Sequence, residues 1–350
     1  MHKSLTASVA ALLSCLASAN PVVLPDHPPL LLLAAPGPLQ LSMGGVVADP
    51  AAGVVGASVN PAALAGLKHP EVALVGGRWE TGDWPDGSLW WAAFGAPVGK
   101  RLTIGADLTA AYRGETNVVN RHEEPVGTML VLDAALAGRA AYAIDDDWSA
   151  GLALRGFLSN MPENHDWMGL PWDDVLALGL LADAGVRWTP NRQLGLGLSL
   201  GNAGPDIEYR STTSDWVYLT AAAPWTVRLG GRWRAVELWP VRIDVLAGLS
   251  TLLVGEEWST GAEPLLADAW YSTARDLTVE VVLWDAIYLR AGHINDPTTD
   301  RRGLCWGAGV GYRGILRFDL GSDAAASEYG SRDWSLGLTV SDPATLLRRP

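Results

Sequence analysis

Residues Arg101–Arg113 read RLTIGADLTAAYR. In an extended chain Leu102, Ile104, Ala106, Leu108, Ala110 and Tyr112 share one face, and Thr103, Gly105, Asp107, Thr109, Ala111 and Arg113 share the other. A strand of a soluble sheet runs about 5–6 residues, whereas one that crosses a bilayer at a tilt needs roughly 9–11. Alternation sustained over this length, apolar outward and polar inward, is the pattern of a transmembrane barrel strand. A half-buried strand of a soluble sandwich can show the same face pattern, so recurrence decides between them.

The pattern recurs. Glu71–Glu80, Ser88–Val98, Thr128–Ile144, Asp147–Leu158, Asp174–Thr189, Gln193–Gly201, Pro224–Arg234, Val241–Leu252, Asp276–Leu283, Ala286–His293, Gly303–Arg313, Ile315–Gly321 and Arg332–Val340 carry it in turn. With the opening stretch that makes about 14 segments, an even number as single-chain bacterial barrels have. The connections alternate in length. The long ones are 81–87, 114–127, 159–173, 202–223, 254–275, 294–302 and 322–331; the short ones carry turn residues such as Gly99-Lys100, Asp145-Asp146, Pro190-Asn191-Arg192 and Trp284-Asp285. Short periplasmic turns alternating with longer extracellular loops follow the barrel rule. The fold class expected is therefore all-β, a transmembrane antiparallel barrel of about 14 strands spanning 71–340, with a short periplasmic tail at 341–350.

Bulk composition agrees. The 350 residues are 49% hydrophobic and 18% charged, with 39 Gly and 17 Trp. Mean hydropathy is +0.13, yet past the N-terminus no run of about 18 apolar residues marks a membrane helix. Trp79, Trp91, Trp148, Trp188, Trp225, Trp233, Trp284, Trp306 and Trp334 fall near segment ends, where an interfacial aromatic girdle belongs. A net charge of −13 argues against nucleic-acid binding, which wants a basic stripe. Residues 1–19 read as a signal peptide: His2-Lys3, an apolar run from Leu5 to Leu16, then Ala17-Ser18-Ala19. Cleavage there leaves Cys305 alone, so no internal disulfide is expected.

Residues 20–70 lack alternation and read as a periplasmic lead-in followed by a hatch. The lumen of so wide a barrel must be filled or left open, and irregular backbone is tolerated at membrane depth when buried in protein. The hatch carries Met43-Gly44-Gly45, Ala48-Asp49-Pro50-Ala51 and Asn60-Pro61-Ala62-Ala63-Leu64 immediately before the first strand. With Ala96–Lys100, Asn202–Pro205, Pro224–Gly231 and Leu289–His293, this ordered set resembles the PorV/PorQ family of outer-membrane proteins, relatives of the FadL long-chain fatty acid transporters. The resemblance implies a plugged 14-stranded barrel in the bacterial outer membrane, with Met43, Gly44, Gly45, Asp49, Asn60, Pro61 and Ala62 in the plug. It also implies a part in docking or escorting exported proteins in type IX-like secretion; the alternative is a FadL-like channel taking up long-chain fatty acids or other hydrophobic molecules. The chain departs from the family in a longer lead-in at 21–39 and in ending without a terminal Phe.

Motifs of catalysis carry little weight here. Gly197–Gly201 matches G-x-S-x-G, but Ser199 lies inside a Leu/Gly alternation and not on the strand-to-helix turn a nucleophile elbow needs. Gly309–Gly314 matches G-x-G-x-x-G, but a strand and not a helix follows. His122-Glu123-Glu124 and Glu163–Asp166 lack the spacing of a metal site. No catalytic residue, cofactor or metal is expected. The inward-facing charges Asp107, Arg155, Asp183, Arg187, Arg228, Arg232, Asp244, Glu280 and Arg290 are the candidate lumen residues, since an ionisable group inside a membrane protein must pair or line water. The partners expected are outer-membrane lipid together with either exported proteins and secretion machinery or a hydrophobic small molecule, and no nucleic acid.

Overall fold

The computed structural model describes residues 30–34, 37–45, 52–79, 87–119, 125–160, 175–212, 217–253, 273–297, 301–323 and 333–347. Residues 1–19, read above as a signal peptide, and Asp49, His122–Glu124 and Glu163–Asp166 lie outside them. Each alternating segment is a strand: β1 Glu71–Arg78, β2 Ser88–Pro97, β3 Leu102–Val119, β4 Pro125–Ala143, β5 Trp148–Asn160, β6 Val175–Trp188, β7 Leu194–Ala203, β8 Ile207–Ser211, β9 Val217–Ala221, β10 Thr226–Leu238, β11 Val241–Leu252, β12 Thr273–Leu283, β13 Ile287–Asp296, β14 Arg301–Tyr312, β15 Leu316–Ser322 and β16 Trp334–Ser341. All described pairings are antiparallel, between sequence neighbours except for β6 with β8 and β7 with β10, and β1 pairs with β16 to close the ring. Closure leaves no edge of unpaired backbone groups facing lipid.

The ring is a closed barrel of 14 strands. β8 pairs with the far part of β6 and β7 with its near part, so β7 and β8 form one wall strand broken at Gly204–Asp206. Likewise β9 pairs with β8 and β10 with β7, making a second broken wall strand. This corrects the expectation that 202–223 is a single loop. Beyond the lipid band the outward face turns polar, as exposed Glu208 and Arg210 show beside buried Ile207 and Tyr209, so pairing continues where the apolar-outward pattern no longer reports it. β3, β13 and β14 extend past their expected ends for the same reason.

The face assignment holds through the opening stretch: Leu102, Ile104 and Leu108 are exposed, while Thr103, Asp107 and Ala111 are buried. Leu136, Leu152, Leu154, Leu178 and Leu180 continue the exterior apolar band, each more than three-fifths exposed. A soluble monomer rarely shows so large a contiguous apolar surface; lipid covers it here. Trp148 and Trp188 stack with ring centroids 5.8 Å apart at the short-turn end, and Trp225, Trp233, Trp284, Trp306 and Trp334 are exposed. Trp79 and Trp91 are turned inward and buried, a correction to their place in the girdle. In WW and RW pairs adjacent residues take opposite faces, and composition near a strand end does not say which.

The N-terminal residues lie against the inner wall. Pro38–Leu41 and Val54–Ala57 are short helices and Pro61–Gly66 is a 3-10 turn. Asn60 caps that turn by accepting from Ala62 N at 3.1 Å, and Pro61 follows it. Proline needs no amide partner at such a first position. The lead-in departs from expectation: Leu31 and Leu32 are buried among Trp79, Leu89, Phe157, Leu181 and Ile207 on the inner wall. Past the barrel, Pro343–Leu347 is a helix and Asp342 N donates to Pro70 O at 2.8 Å.

Candidate functional site in the barrel lumen

Three layers stack inside the barrel. The first, toward the long-connection end, is apolar: Trp79, Leu89, Ala111, Ala135, Phe157, Val175, Ala177, Leu181, Ile207, Tyr209 and Ala221 converge from the far parts of β1–β9, with Leu31 and Leu32 among them. Alternation makes much of this layer: Leu89, Ala135, Ala177 and Leu181 stand beside the exposed Trp90, Leu136, Leu178 and Leu180, whereas Ile207 and Tyr209 stand beside the exposed, charged Glu208 and Arg210.

The second layer is polar. Trp91 Nε1 donates to Asp107 Oδ1 at 3.3 Å, and Arg139 is ion-paired to the same carboxylate. Arg155 donates to Asp183 at 2.8 Å and to Asn202 Oδ1 at 2.9 Å. Asn202 sits at a ladder irregularity with φ 58°; its backbone N–H reaches Asp183 at 2.8 Å and its Nδ2 reaches Leu32 O at 2.9 Å. An Asn tolerates the left-handed conformation better than most residues, so the irregularity turns a side chain toward the lumen. Arg228 faces this cluster with its Nε buried and without a hydrogen-bond partner.

A second polar group lines β10–β15 near the short-turn end. Asp244 and Glu280 are direct cross-strand neighbours, a like-charge pairing that alone is unfavourable. Arg234 at 3.0 Å and Arg242 at 3.3 Å hold Asp244, while Arg290 donates to Glu280 at 2.6 Å and to Asp319 at 2.9 Å. Gly309 lies between them: a Cβ there would come within 2.4 Å of Asp319 Oδ1. The G-x-G-x-x-G stretch thus gives a carboxylate room to cross the wall. Buried charges of this kind need partners, and removing one partner costs about 3–5 kcal/mol.

The third layer is the N-terminal segment, fitted to glycines of the inner wall. A Cβ at Gly151 would meet Pro61 and Ala62 backbone atoms at 2.4–2.7 Å, and one at Gly185 would meet Asn60 Oδ1 at 2.1 Å. Asn60, fully buried, donates to Val186 O at 3.1 Å. Ser199 donates to Val59 O at 2.8 Å, which is the use made of the serine in G-x-S-x-G. Met43 packs on Leu246 with Leu39, and Gly44 lies against Ile294 with φ 68°. Gly45 lines the cavity beneath Arg155 and Asp183.

None of the nine charges named from sequence is exposed. Asp107, Asp183, Asp244, Glu280 and Arg290 are buried; Arg155, Arg187, Arg228 and Arg232 are half-buried. Arg187 approaches Gly66. Sequence reasoning left out Arg139, Arg234, Arg242, Arg317, Asp319 and Asn202, though the alternation of Ala135, Ala137, Arg139 and Ala141 assigns Arg139 inward. Asn202 carries no such signal, because it stands at a break in the ladder.

No family model matches the chain, and no curated protein does. Solved structures do. The Ralstonia pickettii toluene transporter TbuX superposes with a TM-score of 0.56 at 14% identity, covering 87% of this chain and 98% of that one. The CymD monoaromatic hydrocarbon channel gives 0.57 at 12%, covering 89% and 98%. A Pseudomonas aeruginosa FadL homologue gives 0.51 at 12%, covering 93% and 100%. The chain has the fold of these FadL-type outer-membrane barrels.

Proposed function

We propose that this protein is a non-enzymatic outer-membrane channel for hydrophobic small molecules, plugged by its N-terminal segment. The apolar layer inside the lumen carries the reading. A water-filled porin lines its interior with polar side chains, whereas here a layer of buried aliphatic and aromatic residues lies beyond the polar layer and the plug. With Leu31 and Leu32 displaced, such a layer gives an apolar guest the surface it loses from water, worth about 25 cal/mol per Å². The resemblance of the fold to hydrocarbon transporters points the same way. Docking of exported proteins, the expectation from PorV/PorQ-like motifs, draws on no feature that the channel reading leaves unused.

The plug is Met43–Gly45 and Asn60–Ala62 with their neighbours, and the ion pairs of Asp107, Asp183 and Glu280 hold the wall around it. Native mass spectrometry after mild detergent extraction tests the function. A small hydrophobic adduct that survives desolvation is expected. A stoichiometric exported protein in its place returns the reading to secretion.

A further inference from the structure

The polar layer of the lumen does not balance its own charge. Arg139, Arg155 and Arg228 bring guanidinium groups to it from β4, β5 and β10, whereas only Asp107 and Asp183 bring carboxylates, from β3 and β6. All five side chains line one cavity of about 40 Å³, and among the described residues no other ionisable side chain does. The excess is one positive charge.

The acceptors at hand are already used. Asp107 accepts from Trp91 Nε1 at 3.3 Å and pairs with Arg139. Asp183 accepts from Arg155 and from the Asn202 amide, both at 2.8 Å. Asn202 Oδ1 takes Arg155 at 2.9 Å, and Ala57 O takes Arg139 at 2.6 Å. Arg228 obtains none of these. Its Nε is buried without a hydrogen-bond partner, and the side chain forms no ion pair among the described residues. The open space at Gly201 brings its Nη1 toward Asp183 without a bond: a Cβ there would stand 3.1 Å from Nη1 and 3.7 Å from Asp183 Oδ1.

A charge shielded from water needs a partner, and arginine cannot shed its proton to escape that cost. Water could accept the free N–H groups but would leave the charge in place. An anion meets both needs. A water occupies about 10–15 Å³ of such space, so this cavity has room for one halide with a water beside it. The alkyl chain of an organic carboxylate would have to run where Leu31 and Leu32 already pack.

We propose that this cavity binds one small monovalent inorganic anion, chloride in common media, held by Arg228 with Arg139 and Arg155 around it. The anion neutralises the polar layer and links β10 to the cluster on β3–β6. The site stands apart from the channel reading and asks for no movement of the N-terminal segment.

Bromide, a halide visible by its anomalous scattering, tests it. In crystals of the purified protein grown in sodium bromide, an anomalous peak is expected in this cavity within hydrogen-bond distance of Arg228 Nε. A cavity without such a peak overturns the proposal, and so does density for an organic carboxylate running on into the apolar layer. Urea unfolding in sodium bromide and in sodium gluconate of equal ionic strength supplies the second arm. The folded-to-unfolded ratio of the wild type is expected to rise about tenfold when bromide reaches about ten times its Kd. Arg228→Met leaves two guanidinium groups against two carboxylates, and its ratio is expected to be the same in both salts. A wild type indifferent to bromide, or a variant that responds as the wild type does, overturns the proposal. Should the variant fail to refold, the wild-type titration and the anomalous peak decide between them.

Discussion

Gly151 and Gly185 face each other across β5 and β6 and both touch the N-terminal segment proposed as the plug. An added Cβ would stand 2.4–2.7 Å from Pro61 and Ala62 backbone atoms at the first position and 2.1 Å from Asn60 Oδ1 at the second. Overpacking of this kind costs about 1–3 kcal/mol per site. Five hydrogen bonds tie residues 53–66 to the wall, those of Val54 with Glu71, Ala57 with Arg139, Val59 with Ser199, Asn60 with Val186 and Ala62 with Ser149. Each contributes about 0.5–1.5 kcal/mol, so together they amount to roughly 3–8 kcal/mol. A single Gly→Ala change therefore strains the plug without releasing it, and Gly151→Ala/Gly185→Ala brings the opposing terms to the same size. Planar-bilayer recording reads the result: the double variant conducts ions in bursts, each single variant much less, and the wild type least. Gly138→Ala and Gly156→Ala serve as controls, because a Cβ at either meets nothing within 4 Å. Conductance equal in the double variant and the controls would refute the assignment of residues 53–66 as the obstruction.

Three further outcomes are expected. Arg139→Met strands the buried Asp107 and costs about 3–5 kcal/mol in a denaturant titration, whereas Arg139→Met/Asp107→Leu recovers most of that; a double variant no better than the single one contradicts the ion-pair account. Asn60→Leu removes a cap and a wall hydrogen bond, together about 2–3 kcal/mol, and hydrogen exchange at Ala63 and Leu67 rises while the strands stay protected. Ile207→Asn places an unpartnered amide in the apolar layer, and affinity for a neutral fluorescent hydrocarbon falls about tenfold, the equivalent of about 1.4 kcal/mol; unchanged affinity moves the binding site elsewhere.

Much of the architecture is legible in the sequence, because lipid enforces a strict period of two on every residue at membrane depth. Arg101–Arg113 shows it: all the outward positions of 102–108 are exposed and Asp107 is buried. Beyond the lipid band the outward face of β8 is charged and only the inward face is apolar, which is why β8 and β9 pass unread inside an apparent loop. Faces also go unread where two large aromatics adjoin, as at Trp90-Trp91, one at 61% exposure and the other at 2%. The lumen is harder. Alternation names nine charges but not their partners, since Arg139–Asp107 is a diagonal contact between neighbouring strands and Arg290–Asp319 reaches across the intervening strand β14. His27–Ala35 reads as a plain apolar stretch, and only three-dimensional closure of the barrel gives Leu31 and Leu32 their buried place.

The most direct measurement of the central claim is the initial rate of uptake of radiolabelled toluene and hexadecanoate by cells lacking the protein and by cells re-expressing it, with a polar sugar as control. Re-expression is expected to raise the rate for a hydrophobic probe severalfold and to leave the sugar unchanged. Identical rates with and without the protein, or a rise for the sugar as well, would contradict a plugged hydrophobic channel.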